Sequence, residues 1–196
     1  MKYNIYDTKA LVLKRSPYKD DGLSVLLFTR EFGCLYAKAQ GARKPLSKLR
    51  SGLTESSYVS VGLLAGKGGW KITYLVSHKN IFFSLRGKKS LQNAVSKIML
   101  VCSRLVGESG ESKEIFDSVI NGFFQMISVS KEGGRVYDAE RFVMLRILYL
   151  LGYIEHSSYL CFMSEEGEMF GKKGQNMLSL RRSMNREINK ALDIAW

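Results

Sequence analysis

The chain has 196 residues, 45% of them hydrophobic, a formal net charge of +12 and a pI of about 9.6. That hydrophobic share excludes a disordered chain, and the longest apolar run, Phe142–Tyr153, is broken by Arg146 and too short to cross a bilayer. The polar start, Met1–Thr8, shows no signal peptide, so a soluble, cytoplasmic protein is expected. The positive excess points to a polyanionic partner, either nucleic acid or an anionic membrane surface. Residues 1–80 hold 14 Lys and Arg against 5 Asp and Glu, whereas residues 81–196 hold 16 against 13. The polyanion contact is therefore expected in the N-terminal part.

Five strands are predicted first: Thr8–Lys14, Ser24–Thr29, Cys34–Gln40, Ser57–Leu64 and Lys71–His78, all rich in Val, Leu, Ile, Tyr and Phe. Turn signals separate them: Pro17 with Asp20-Asp21-Gly22, then Glu31-Phe32-Gly33, then Gly66-Lys67-Gly68-Gly69. Between the third and fourth strands there is room for one short helix around Ser47–Leu53. That order is the order of an OB-fold barrel. Past residue 80 the period becomes helical. Helices are predicted over Ser90–Val106 and Lys113–Val129. A third helix has Asp138 as N-cap and Gly152 as its C-terminal stop, and is apolar on most sides, hence central. Ser157–Lys173 suggests a hairpin around Glu165-Glu166-Gly167, and a last amphipathic helix fits Gln175–Ile194. The expected architecture is α+β: an N-terminal five-stranded OB-fold β-barrel, residues 1–80, followed by an all-α helical C-terminal domain, residues 81–196.

The sequence carries little catalytic chemistry. Cys34, Cys102 and Cys161 are far apart and never form C-x-x-C, so each reads as a buried thiol of a reducing compartment rather than a disulfide or zinc ligand. His78 and His156 lack neighbouring ligands. Gly62–Lys67 is one residue short of a phosphate loop and has Gly68 where Ser or Thr would bind Mg²⁺, so hairpin glycines explain it better. Asp20-Asp21 is turn chemistry, and Glu165, Glu166 and Glu168 are solvated. No enzyme activity and no cofactor are expected.

The basic set is different. Arg43, Lys44, Lys48 and Arg50 fall within one short loop-helix element. With Arg15, Lys38 and Lys67 on the neighbouring strands and hairpin, they are the expected phosphate contacts. Fixed cations along a barrel groove meet phosphates, and aromatic rings stack bases. Tyr18, Tyr36, Tyr58, Trp70 and Tyr74 lie on the barrel, and Trp70, beside the glycine hairpin, is expected to be the exposed platform. In the helical part Arg146 interrupts Val143–Leu148. Such a residue needs an anion or a route to water. It reads either as an internal ion pair or snorkelling stem, or, with Arg141, as an anchor for a partner's carboxylate.

The ordered set Thr8–Leu13, Leu26–Gly33, Ala39–Ser47, then Glu140-Arg141-Phe142 and Leu145–Tyr153, resembles the RecO family of bacterial recombination mediators. The resemblance covers residues 7–80 well and 137–161 moderately. It implies binding of single- and double-stranded DNA, strand annealing, and loading of RecA on gaps together with RecR. It also implies contact with the acidic C-terminal tail of the single-stranded DNA-binding protein, and no membrane partner. Many family members carry a four-cysteine zinc site after the central helix. Here Cys161 falls at the first such position and no partner follows, so no metal is carried over. The chain is shorter than the family's usual C-terminal end. The alternative reading is an OB-fold RNA-binding or ribosome-associated protein. Annealing of DNA separates the two.

Overall fold

The structure is a computed structural model describing residues 4–108, 112–164 and 177–195. The chain divides into two compact units, residues 1–87 with 99–116, and residues 88–98 with 117–196.

The first unit is built on five strands: β1 (Ile5–Tyr18), β2 (Gly22–Thr29), β3 (Gly33–Ala39), β4 (Ser57–Gly66) and β5 (Gly69–Asn80), with helix α1 (Lys48–Gly52) between β3 and β4. They close into a barrel in the order β1-β2-β3-β5-β4. All pairs are antiparallel except β3 with β5, which meet in parallel over Ala37↔Trp70 and Lys38↔Lys71. All five predicted strands and the intervening helix are present. Pro17 does not end β1, contrary to expectation: the strand runs on to Tyr18. Past Leu11 β1 pairs with β2 but has no partner in β4, and a residue without an N–H is tolerated at such a free edge.

Alternate residues fill the interior: Ala10 and Val12, Leu23, Val25 and Leu27, Leu35 and Ala37, Val59, Val61 and Leu63, and Ile72. The outward residues of β2 are also buried over Leu26 and Phe28. Phe28 packs edge-on against Phe116, 5.1 Å between ring centres, and Tyr58 stacks on the same ring at 6.3 Å. Cys102, Gly107, Ser112 and Phe116 thus lie over one strip of the barrel's outer wall. Burial on both faces is why β2 reads as the unbroken apolar run Val25-Leu26-Leu27-Phe28 rather than an alternation.

This cover is fastened by polar bonds. Cys34 N donates to Gly107 O at 3.1 Å, and Gly33 N donates to Ser112 Oγ at 2.8 Å. The Ser112 hydroxyl in turn faces Thr29 O at 3.1 Å and Arg30 O at 2.9 Å. The Cys34 thiol points to Cys102 O at 3.4 Å. Burial pushes the Cys34 thiol from 9.0 up to about 12, and burial together with the neighbouring Cys34 raises Cys102 as well.

The remaining elements are α2 (Ile81–Ser84), α3 (Lys89–Leu105), α4 (Lys113–Lys131), α5 (Val136–Leu150), α6 (His156–Ser164) and α7 (Met177–Ala195). The sequence pattern does not announce α2. It exists because Asn80 Oδ1 accepts from Phe83 N while its Nδ2 donates to Thr54 Oγ1, Glu55 O and Ser57 Oγ. The hairpin around Glu165 lies outside the described residues; the stretch before it is α6. Helix α5 is central as expected, packed against α6 and α7. It ends at Gly152, whose φ of +82° suits glycine; Gly152 N reaches Tyr149 O and Tyr153 N reaches Leu148 O. Its start differs. Arg135 is the N-cap, without a side-chain cap bond, and Asp138 lies inside the first turn because two arginines hold it there.

The fastening of the barrel wall sets three expected outcomes. Ser112→Ala leaves the Gly33 N–H without an acceptor in a buried place, and should lower unfolding free energy by about 1–3 kcal/mol in denaturant titrations. A thiol reagent at pH 8 should modify exposed Cys161 in the native protein and reach Cys34 and Cys102 only after denaturation. Because the folded Cys34 value lies above the unfolded one, its contribution is whole below pH 9 and is lost as pH rises from 9.0 toward about 12.

Candidate nucleic-acid interface

The β1–β2 turn is the point on which the basic residues converge. Gly22 closes it: a Cβ there would stand 2.6 Å from Tyr18 O, so no other residue fits. Lys19 takes φ +53° in the turn. The Tyr18 ring lies 5.6 Å from Lys19 Nζ and 5.3 Å from Lys38 Nζ. Lys38 Nζ also donates to Gly68 O at 2.7 Å, which brings in the two-residue β4–β5 loop, Lys67-Gly68. From the β3–α1 loop, Arg43 N donates to Asp21 O at 2.8 Å and Arg43 Nη1 to Asp20 O at 3.3 Å. Lys44 Nζ pairs with Asp21 Oδ2 at 3.1 Å, both side chains exposed. Exposed pairs of this kind are worth little, so breaking this one would cost little.

Four of the predicted cations, Lys38, Arg43, Lys44 and Lys67, therefore gather from three loops and strands around one turn. The others stand apart. Lys48 and Arg50 are exposed on α1, which packs against β5 with Gly52 on Leu75 and His78. Arg15 is exposed on β1, its backbone N bonded to Glu55 Oε1 at 3.3 Å. Among the described residues no hydrogen bond or ion pair joins these three to the turn.

Trp70 is not the exposed ring expected. It is half-buried against Phe32 at 5.1 Å and Tyr6 at 5.9 Å, and its indole N–H donates to Glu108 Oε1 at 2.8 Å. In register it faces Ala37, an interior residue, so the ring is drawn toward the core. Tyr74 donates to Asp7 Oδ1, which raises its hydroxyl pKa. Of the tyrosines and tryptophan on the described barrel strands, Tyr36 is the most exposed, at 61%, against 39% for Tyr6 and Tyr74. Lys14, Lys19 and Lys71, also exposed, escaped the sequence reading. Alternation along Leu35-Tyr36-Ala37-Lys38-Ala39 was enough to place Tyr36 and Lys38 outward; Lys14 and Lys71 needed the cross-strand register.

In the second unit the two candidate arginines part company. Asp138 accepts from Arg141 Nη1 at 2.9 Å, Arg181 Nε at 2.9 Å and Arg181 Nη2 at 2.7 Å. Arg141 further donates to Asn185 Oδ1 and Tyr137 O. Arg141 is thus held in an internal network. Arg146 is exposed and makes no hydrogen bond or ion pair among the described residues. The three cysteines do not fit a four-cysteine zinc site: Cys34 and Cys102 are buried in the first unit, and Cys161 lies on α6 of the second. Among the described residues no cluster of His, Cys, Asp and Glu could hold a metal.

These features define a closed five-stranded barrel with a basic, aromatic end, joined in sequence to a helical unit. Residues 1–77 match the family described as recombination protein O N terminal. The chain is 30% identical to the DNA repair protein RecO of Chlorobium phaeobacteroides over 167 residues, 83% of this chain and 61% of that protein. It is 26% identical to the DNA repair protein RecO of Chlorobium limicola over 151 residues, 76% and 54% of the two chains. Over 69 residues it is 38% identical to the DNA repair protein RecO of Heliobacterium modesticaldum, 35% and 25% of the two chains. Residues 1–77 thus match the N-terminal family of RecO, and the chain as a whole is similar to DNA repair proteins named RecO. The alignments span less than two thirds of the length of these curated relatives.

The arginine pair supplies a contrast. Asp138→Ala leaves two partly buried guanidiniums facing each other and should cost about 3–5 kcal/mol of stability in thermal or denaturant melts. Arg146→Ala should leave the melt within about 0.5 kcal/mol, the range of an exposed substitution.

Proposed function

We propose that the barrel is an OB-fold that binds DNA, and that the chain acts without bond chemistry as a recombination mediator in DNA repair. In this reading it anneals complementary strands and helps load RecA on gaps coated by single-stranded DNA-binding protein, with RecR as a further partner. The observation that carries the proposal is the convergence of Lys19, Lys38, Arg43, Lys44 and Lys67 around Tyr18 and the β1–β2 turn. Annealing requires two polyanions to be held together with their repulsion screened, and fixed cations do this without metal or nucleotide. The loops between strands 1 and 2 and between strands 4 and 5, which meet here through Lys38 and Gly68, are where OB-folds take oligonucleotides. Of the two candidate arginines in the helical unit, Arg146 is the one available to an acidic tail, since Arg141 is held by Asp138.

Annealing of complementary DNA coated with single-stranded DNA-binding protein should proceed in EDTA and without nucleotide. Loss of annealing on chelation, with the fold intact, overturns the non-enzymatic reading. If about four phosphates are met on single strands, log K should fall with log salt with a slope of about −3. The variant Lys38→Ala/Arg43→Ala/Lys44→Ala/Lys67→Ala should flatten that slope toward zero at an unchanged melting temperature. An unchanged slope places the DNA elsewhere.

A further inference from the structure

We infer that Tyr36 is a base-stacking platform that makes this barrel discriminate unpaired strands from duplex. The inference rests on the DNA-binding reading above and specifies the form of nucleic acid that the same face accepts. The strand register divides the outer wall of β1, β2, β3 and β5 into rows. One row, Leu11, Phe28 and Cys34, is buried beneath Cys102 and Phe116. The next row is Lys14, Leu26 and Tyr36, and the one beyond it is Ser16, Ser24, Lys38 and Lys71. Directly opposed side chains across a sheet have Cβ atoms about 5 Å apart. Successive outward positions on one strand lie about 7 Å apart. Tyr36 therefore stands at the border between covered wall and open wall, with cations in its own row, in the adjacent row and, through Lys38 and Tyr18, at the β1–β2 turn.

Two features set this tyrosine apart. It is 61% exposed, whereas Tyr58 is stacked under Phe116, Trp70 is packed with Phe32 and Tyr6, and Tyr74 is bonded to Asp7. It also lies two residues from Lys38, which stands in register with Lys71 across the parallel β3–β5 pair. Like charges placed opposite each other cost stability unless an anion comes between them. A backbone phosphate between Lys38 and Lys71 would remove that cost and leave its base within reach of the Tyr36 ring. In a duplex the bases are stacked on one another and a flat ring has no face to meet. Stacking of one base is worth about 1–3 kcal/mol, enough to set a preference.

The test uses the full chain, a fluorescent oligo-dT and a hairpin duplex of equal charge, at one salt concentration. Tyr36→Ala should weaken oligo-dT binding about tenfold, equivalent to about 1.4 kcal/mol. Its hairpin affinity and melting temperature should be unchanged. Tyr36→Phe should keep the affinity of the parent, and a 2-aminopurine placed in the strand should lose its quenching in Tyr36→Ala only. Equal weakening for both DNA forms, or for neither, overturns the proposal. The variant Lys14→Ala/Lys38→Ala/Lys71→Ala separates the two levels. If it weakens both forms while Tyr36→Ala is silent, the barrel remains the DNA site and Tyr36 is not its platform. If it weakens neither, the barrel-face reading falls with the proposal.

Discussion

Strand β2 has no solvent-facing side between Val25 and Thr29, and the first unit is organised around that constraint. Its inward residues fill the barrel, and its outward Phe28 is sealed by Phe116. A strand buried on both faces must satisfy its flanking polar groups by other means. Ser112 and Gly107 do so at the β2–β3 turn, accepting from the Gly33 and Cys34 amides. Once one strip of the barrel wall is committed to packing, the opposite end is left to polar contacts. Hence the separation of apolar and basic surface follows from packing as much as from composition.

The basic end is self-neutralised only in part. Asp21 pairs with Lys44, and the carbonyl oxygens of Asp20, Asp21 and Gly68 take up Arg43 and Lys38. These partners orient the cations without burying them, and Tyr18 gives two ammonium groups a common aromatic surface. Neutral carbonyl partners leave the local field positive, which is what a polyanion site requires. The short Asp20-Asp21 turn sets loop geometry and supplies the one acid that tethers a lysine.

The helical unit shows how the same residue type takes opposite roles five positions apart. Arg141 is bound to Asp138, Tyr137 and Asn185 and fixes α5 to α7 through the carboxylate that Arg181 also holds. Arg146, on the same helix, has a route to water and no such partner among the described residues. A carboxylate bracketed by two guanidiniums explains why Asp138 lies within the helix rather than capping it. Capping would need its side chain at the backbone amides, and the arginines hold it sideways.

Much of the fold was legible from local pattern. Alternation marked β1, β3, β4 and β5, apolar continuity marked β2, and glycine punctuation marked the turns at Gly33 and Gly66–Gly69; helical spacing placed α3, α4, α5 and α7. These signals are local because strand and helix periods are local. The net charge and the Arg43–Arg50 cluster located the candidate polyanion surface in the first 80 residues. What tertiary structure decided was which of those cations stand together and which barrel ring is most exposed. Lys38, Arg43, Lys44 and Lys67 meet at the β1–β2 turn because three connections converge there, while Lys48 and Arg50 ride on a helix packed elsewhere. Trp70 turned inward because its register partner is Ala37, and Tyr36 stayed exposed because it lies one row beyond the strip covered by Cys102 and Phe116. Composition states how many charges and rings a chain carries, but cross-strand register, a property of residues distant in sequence, determines which of them share a face.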